Sequence, residues 1–289
     1  MNGKVRYFRL PQLGNLSKKI QEDCYRVDSW EIKKSEKQLG EGSYGTVYQA
    51  CQNSTCSYVG KVIRFDFRYD KKFVWNVFFA EAKITQYAGL KGFGIPVHKY
   101  YLCDEGKKGV IISDRFDGDL DDLTLTEPQL MKVLRMIHKM HQHGILHRDL
   151  FPKNVMFKQS GEDLEFRIID FGLSIAFNKS IPAILRGIDF INFIDSLSST
   201  LKEVAEPYII KVVGEKYYQE AKVWKTSHHD QCSSEYYLLK HLPVYLYKIY
   251  GPAVTDLLVW SVRCSPEHDQ QITTTLEKRL VKKKLPIPY

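Results

Sequence analysis

Residues 144–154 read GILHRDLFPKN and put His147, Arg148, Asp149, Lys153 and Asn154 into one short loop behind an apolar helical run. So many polar groups in so few residues serve either the surface or a reaction. A second concentration is IIDFGLS, where Asp170 ends a hydrophobic strand and Gly172 permits an unusual turn. Asp149, Asn154 and Asp170 are hard oxygen donors, the kind of set that suits Mg²⁺. A third is LGEGSYGTVYQA, whose Gly40, Gly42 and Gly45 let a backbone turn approach phosphate groups without a side chain in the way. Beyond it, Lys61 shares strand parity with Val59 and Ile63, so an ammonium lies on an apolar face and needs a partner. Glu81 is the candidate, because it interrupts the helical stripe of Val77, Ile84 and Ala88. Each feature alone has a plain structural reading. Such glycine spacings occur in hairpins, a lysine stem snorkels out to water, a glutamate sits at a boundary, and D-F-G forms strand-end turns.

These residues need elements to hold them. From Gln38 to about Phe67, β-branched and aromatic runs broken by glycine and by QNSTCS read as strand, turn, strand. KKFVWNVFFAEAKITQYAGL reads as a helix ending near Gly89, followed by strands around HKYYLC and KGVIISDRF joined at DEGKK. After FDGDLDDL the pattern turns helical, with Leu130, Val133, Leu134, Ile137 and Met140 on one face. Thr126 and Gln129 fit a capping box, Pro128 is tolerable in a first turn, and Gly144 is the expected stop. Short strands NVMF and FRIID come next, and the chain from about Gly187 is mostly helical. A strand-rich front and a helix-rich back define an α+β chain.

Composition sets the outer bounds. The chain has 289 residues, 44% hydrophobic and 13% aromatic, enough for one large domain or two lobes with ample core. No run of eighteen apolar residues is present, so no membrane span is expected, and the first residues lack the apolar region of a secretory signal. The six cysteines are scattered without a C-x-x-C pair, which indicates neither a zinc site nor a disulfide framework and leads to the expectation of a reduced, intracellular protein. The net charge of +8 is densest in EKRLVKKKLPIPY. That tail is read first as a solvated basic segment, with acidic partners, nuclear import or nucleic acid as alternatives. His228 and His229 are read as surface histidines rather than metal ligands.

Taken together, the motifs resemble the protein kinase superfamily. The resemblance rests on G-x-G-x-x-G-x-V at Gly40–Val47, V-G-K at Val59–Lys61, Glu81, H-R-D-L-x-P-x-N at His147–Asn154 and D-F-G at Asp170–Gly172, in that order over roughly residues 38–200. It implies a bilobal fold, with an N-terminal extension at 1–37, a β-rich N-lobe with one main helix at 38–114, a mostly helical C-lobe at 115–274 and a basic tail at 275–289. It also implies ATP and Mg²⁺ as cofactors. By similarity, Gly40, Glu41, Gly42, Ser43, Tyr44, Gly45 and Val47 cover the phosphates. Lys61 contacts the α/β-phosphates and pairs with Glu81, and Asn154 and Asp170 hold the metal. Asp149 accepts or orients the acceptor's hydroxyl proton. Ser113 takes the gatekeeper position, Asp114 to Phe116 form the hinge for adenine, and Asp119 is a candidate for the ribose or else a plain helix cap.

Two departures matter. Phe151 stands where typical serine/threonine kinases carry lysine, and Lys153, two positions on, is the candidate replacement. No A-P-E motif is present, and only LSIAFNKSIPAILRGI separates Gly172 from Asp189, which resembles the aspartate opening the central helix of the large lobe. The usual activation loop is thus mostly missing. Ser174 and Ser180 are its candidate phosphorylation sites, and Arg148 is expected to contact backbone carbonyls instead of a phosphate. The expectation is a monomeric protein kinase acting on a Ser/Thr hydroxyl of a protein. It is placed in the cytoplasm with the nucleus as alternative. A small-molecule kinase and an ATP-binding scaffold are the competing readings.

Overall fold

The computed structural model describes residues 20–227 except 35, 37, 43, 44, 66–70, 178–180 and 182. Ser43, Tyr44, Ser180, His228, His229 and the basic tail lie outside the described residues. The described chain forms two compact units that do not follow chain order. One holds the residues up to Met140 together with Phe151–Gly172, and the other holds His141–Leu150 and the residues from Leu173 onward.

The first unit is built on a twisted sheet. Its strands are β1 (Arg26–Val27), β2 (Trp30–Ile32), β3 (Gly40–Gly42), β4 (Gly45–Gln52), β5 (Thr55–Arg64), β6 (Val97–Cys103) and β7 (Lys108–Asp114). They lie in the order β1-β2-β4-β5-β7-β6, with β3 also on β4. The register sets Val47 opposite Lys61 and Lys61 opposite Ile111. Period-two alternation gives the sheet two apolar faces. Ile63, Leu102 and Ile111 meet Phe78, Phe79 and Ala82 of helix α1 (Lys71–Lys91) on one face. Val62, Tyr101, Val110 and Ile112 meet Cys24, Val27, Trp30 and Ile32 on the other. The segment read as an N-terminal extension therefore supplies strands β1 and β2 and seals the second face.

Two disulfides overturn the expectation of a chain without a disulfide framework. Cys24 joins Cys103 across 79 residues of sequence, and Cys51 joins Cys56 across the β4–β5 turn. Spacing alone hid the long one. Gln21 bridges to Cys103, and Tyr101 donates its hydroxyl to the Cys24 carbonyl at 2.9 Å, so backbone pairing is what brings Cys24 to β6. At the short one the β4–β5 register shifts between Ala50 and Gln52, a bulge that turns Cys51 toward Cys56.

The rest of this unit comprises β8 (Gly118–Asp119), helix α2 (Glu127–Gln142) as far as Met140, and the hairpin β10 (Val155–Ser160) and β11 (Asp163–Ile168). Half of the expected capping box forms, with Gln129 Oε1 accepting from the Thr126 N–H at 2.9 Å. In the second unit, β9 (Ile145–Leu146) pairs with β12 (Ile175–Ala176) beside α3 (Ala183–Ile194), α4 (Ser199–Val213) and α5 (Glu215–Ser227). Helix α3 buries Phe190, Ile191, Phe193 and Ile194, as a helix apolar on nearly all sides must. Among the described residues, no helix is long and apolar enough to cross a membrane.

Candidate active site

Strand β5 delivers Lys61 and helix α1 delivers Glu81. The Lys61 ammonium lies 2.9 Å from Glu81 Oε1 and 2.9 Å from Asp170 Oδ1. Burial by itself would push the ammonium down, but the two carboxylates outweigh it and hold Lys61 well above its ordinary range. The partner that the parity argument demands is present, and Asp170 is a second one. Asp170 follows β11 with φ +60, a left-handed conformation uncommon for a residue with a side chain. Gly172, two residues on, is pressed against the same cluster, where an added Cβ would stand 3.4 Å from Glu81 Oε2.

Asn154 closes the short 3₁₀ turn Pro152–Asn154 and is 6% exposed. Its carbonyl accepts from the Ile169 N–H at 2.9 Å, which pins it to the residue before Asp170. A buried amide and a carboxylate fixed together in this way fit a hard divalent cation. Lys153 projects from the same turn, with its ammonium 5.8 Å from the Phe151 ring centroid.

The glycine turn is described through β3 and β4. An added Cβ at Gly45 would come within 2.7 Å of the Val62 carbonyl oxygen, whereas at Gly40 it would meet nothing nearer than Val47 Cβ at 4.0 Å. The cross-strand approach alone thus accounts for Gly45. At the end of β7, the Asp114 and Arg115 N–H groups donate to the Pro96 and Ser57 carbonyls, and Asp114 Oδ1 lies 2.6 Å from His98 Nε2. Phe116 is buried with the Lys158 ammonium over its ring. Asp119 caps the 3₁₀ turn Leu120–Asp122 by accepting from the Asp121 N–H at 2.9 Å. Burial pushes its carboxyl above the usual range.

The second unit holds the loop that carries Asp149. The organising group is Asp189, which is 1% exposed and sits inside α3 rather than at its start. Its carboxylate accepts the His147 and Arg148 N–H groups at 2.8 Å each, and His141 Nε2 lies 3.0 Å away. A carboxylate in such surroundings is tolerated only with its lone pairs satisfied. In return it holds Arg148 at φ +73 and so bends the loop ahead of Asp149. His141 was not singled out in the sequence, where it reads as one more residue in a histidine-rich helix end.

The Arg148 side chain donates to the Leu173 carbonyl at 3.1 Å, in agreement with the expected backbone contact. Ser174 is 2% exposed and donates its hydroxyl to the His147 carbonyl, so of the two candidate phosphorylation sites this one is structural.

The family profile described as a protein kinase domain matches residues 33–225. The chain belongs to the protein kinase family. It is 28% identical over 169 residues to a probable serine/threonine-protein kinase of Dictyostelium discoideum, an alignment covering 54% of this chain and 24% of that protein. It is 28% identical over 151 residues to the serine/threonine-protein kinase dkf-1 of Caenorhabditis elegans, covering 48% and 20%. It is 27% identical over 146 residues to cyclin-dependent kinase-like 2 of Homo sapiens, covering 47% and 28%. The chain thus matches less than a third of the length of these relatives. The kinase-domain match begins downstream of Cys24 and of strands β1 and β2.

Proposed function

We propose that this chain is an ATP- and Mg²⁺-dependent protein kinase that transfers the γ-phosphate to a serine or threonine hydroxyl of a protein. The observation that carries the proposal is the Lys61 ammonium held between Glu81 and Asp170 at 2.9 Å from each. A cation fixed by one carboxylate of a helix and another at a strand end is oriented before any phosphate arrives, so little reorganisation remains at the moment of transfer.

Lys61 is assigned to the α/β-phosphates, with Glu81 setting its position. The turn from Gly40 to Val47, including Ser43 and Tyr44, is assigned to the cover over the phosphates. Asn154 and Asp170 would hold Mg²⁺, which neutralises developing charge on the transferred group. The adenine is assigned to Phe116 and the carbonyls of its segment, since the Asp114 and Arg115 N–H groups are already engaged. Asp119 is assigned to the ribose. Its capping bond from the Asp121 N–H sets its orientation.

Asp149 is assigned the acceptor: its carboxylate orients the hydroxyl and takes up the proton as the oxygen becomes bonded to phosphorus. Lys153 is assigned the cationic role that Phe151 cannot fill. The names of the relatives support serine or threonine as acceptor. The two disulfides support folding in an oxidising setting over the reduced cytoplasm.

The test is transfer of labelled phosphate from ATP with Mg²⁺ to generic protein substrates and to the enzyme itself, with Asp149→Ala as control and phosphoamino-acid analysis afterwards. Label on serine or threonine that vanishes in the variant is the expected result. ATP binding without label on any protein would overturn it in favour of a small-molecule kinase or a scaffold.

A further inference from the structure

The Lys61–Glu81 pair is only as well placed as helix α1, and apolar packing alone does not fix a helix against sliding along a sheet. A directional bond is also present. Trp75, in the second turn of α1, donates its indole Nε1–H to the Gly106 carbonyl at 2.8 Å. Gly106 ends the tight turn Asp104–Gly106 between β6 and β7. The turn is shaped for that contact. Asp104, Glu105 and Gly106 all have positive φ, at +53, +54 and +80, and an added Cβ at Gly106 would lie 2.3 Å from Trp75 Cζ2. The edge of the indole that carries Nε1 therefore lies close against Gly106. Three residues further on, an added Cβ at Gly109 would lie 2.5 Å from Phe78 of α1 and 2.9 Å from Phe65. The turn is held from its other side as well. Asp104 donates its N–H to Gln21, and the residue before it, Cys103, is disulfide-bonded to Cys24.

We propose that Trp75 is a positioning residue for nucleotide binding and phosphotransfer. Its bond to the Gly106 carbonyl latches α1 onto an anchored turn, at the register where Glu81 meets Lys61. The proposal rests on the reading that the Lys61–Glu81 pair orients the nucleotide phosphates. Trp75 lies six residues before Glu81, about 9 Å along the helix. It acts through the helix. A rigid helix transmits a shift of its second turn to its third and fourth without loss, so an indole that slips off the turn moves the carboxylate away from the ammonium.

The experiment is a double-mutant cycle on the full chain with Trp75→Phe and Glu81→Gln, reading the affinity for a non-hydrolysable ATP analogue with Mg²⁺ and the melting temperature of all four proteins. Phenylalanine keeps an aromatic ring and removes the donor. Trp75→Phe is expected to weaken binding about fivefold, the worth of one such hydrogen bond. In the Glu81→Gln background it is expected to change nothing further, because the carboxylate it positions is already gone. Effects that multiply in the double variant would mean that Trp75 supports the fold generally, and would overturn the latch. So would a Trp75→Phe affinity equal to that of the wild type. If Glu81→Gln binds as tightly as the wild type, the ion-pair reading fails and the latch fails with it, a result distinct from the other two. Should the phenylalanine variant melt too low for the comparison, replacement of Trp75 by benzothienylalanine, which has the same ring shape without the N–H, gives the same four-way test.

Discussion

Replacing Cys24 and Cys103 together by alanine removes a bond that closes 79 residues of chain. In the chain-entropy picture a loop of that length is worth about 4.5 kcal/mol at room temperature, and the five-residue Cys51–Cys56 loop about 2 kcal/mol. Against a typical domain stability of about 5–15 kcal/mol, the first figure is a large share and the second a modest one. Alanine is preferable to serine because Cys24 and Cys103 are 3% and 0% exposed on an apolar face, where two hydroxyls would be buried without partners. At about 2–4 °C per kcal/mol, the expected loss of melting temperature is roughly 9–18 °C for the long disulfide and roughly 4–8 °C for the short one. The assay is thermal unfolding of the wild type, each double variant and the quadruple variant, with and without reductant. Reductant should bring the wild type down to the quadruple variant and leave the quadruple variant unchanged. The reasoning is refuted if the wild type melts at one temperature in both conditions, or if peptide mapping of the untreated protein finds no Cys24–Cys103 linked pair.

Lys61→Met should abolish transfer and leave a folded protein. It places the Glu81 and Asp170 carboxylates side by side without their cation, so a stability loss of about 1–3 kcal/mol should appear in denaturant titration, and unchanged transfer would remove Lys61 from the mechanism. Asp189→Ala strands the His147 and Arg148 N–H groups and the His141 ring in a buried place, and should cost about 3–5 kcal/mol along with the transfer activity. Retained transfer in a folded Asp189→Ala protein would show that the carboxylate does not set the loop. Because Arg148 is engaged by the Leu173 carbonyl and Ser174 is buried, phosphatase-treated enzyme should transfer phosphate as fast as untreated enzyme. An inert dephosphorylated protein that recovers on phosphorylation would refute this.

The parts of the candidate site legible in the sequence were those where chemistry conflicts with pattern. A lysine and a glutamate on apolar stripes each announce a missing partner, and the structure pairs them with each other. The departure at Arg148 was equally readable, since a shortened segment leaves an arginine without an incoming phosphate. What could not be read depends on long-range pairing. Asp189 looks like a helix-opening residue until three donors converge on it from another stretch of chain. Cys24 and Cys103 look unrelated until Gln21 pairs with Cys103. The role of Gly45 was legible in kind but not in cause, because the Val62 carbonyl that crowds it is fixed by strand register. Strands β1 and β2 escaped for a simpler reason: at two and three residues they are too short to show alternation.

The strand order leaves β1 at one margin of the sheet and β6 at the other. Exposed margins of this kind are where one molecule recruits the chain of the next, by added strands or by exchange of a segment. Here the chain entering β1 first runs past β6, bridging Cys103 through Gln21 and bonded to it through Cys24. The Cys103 end of one margin is thus occupied by the lead-in to the other, and the occupant is covalently fixed. A segment exchange through residues 20–32 would require breaking the disulfide first. Resistance to exchange of this segment therefore follows from the same bond that stabilises the sheet, and reduction should weaken both together.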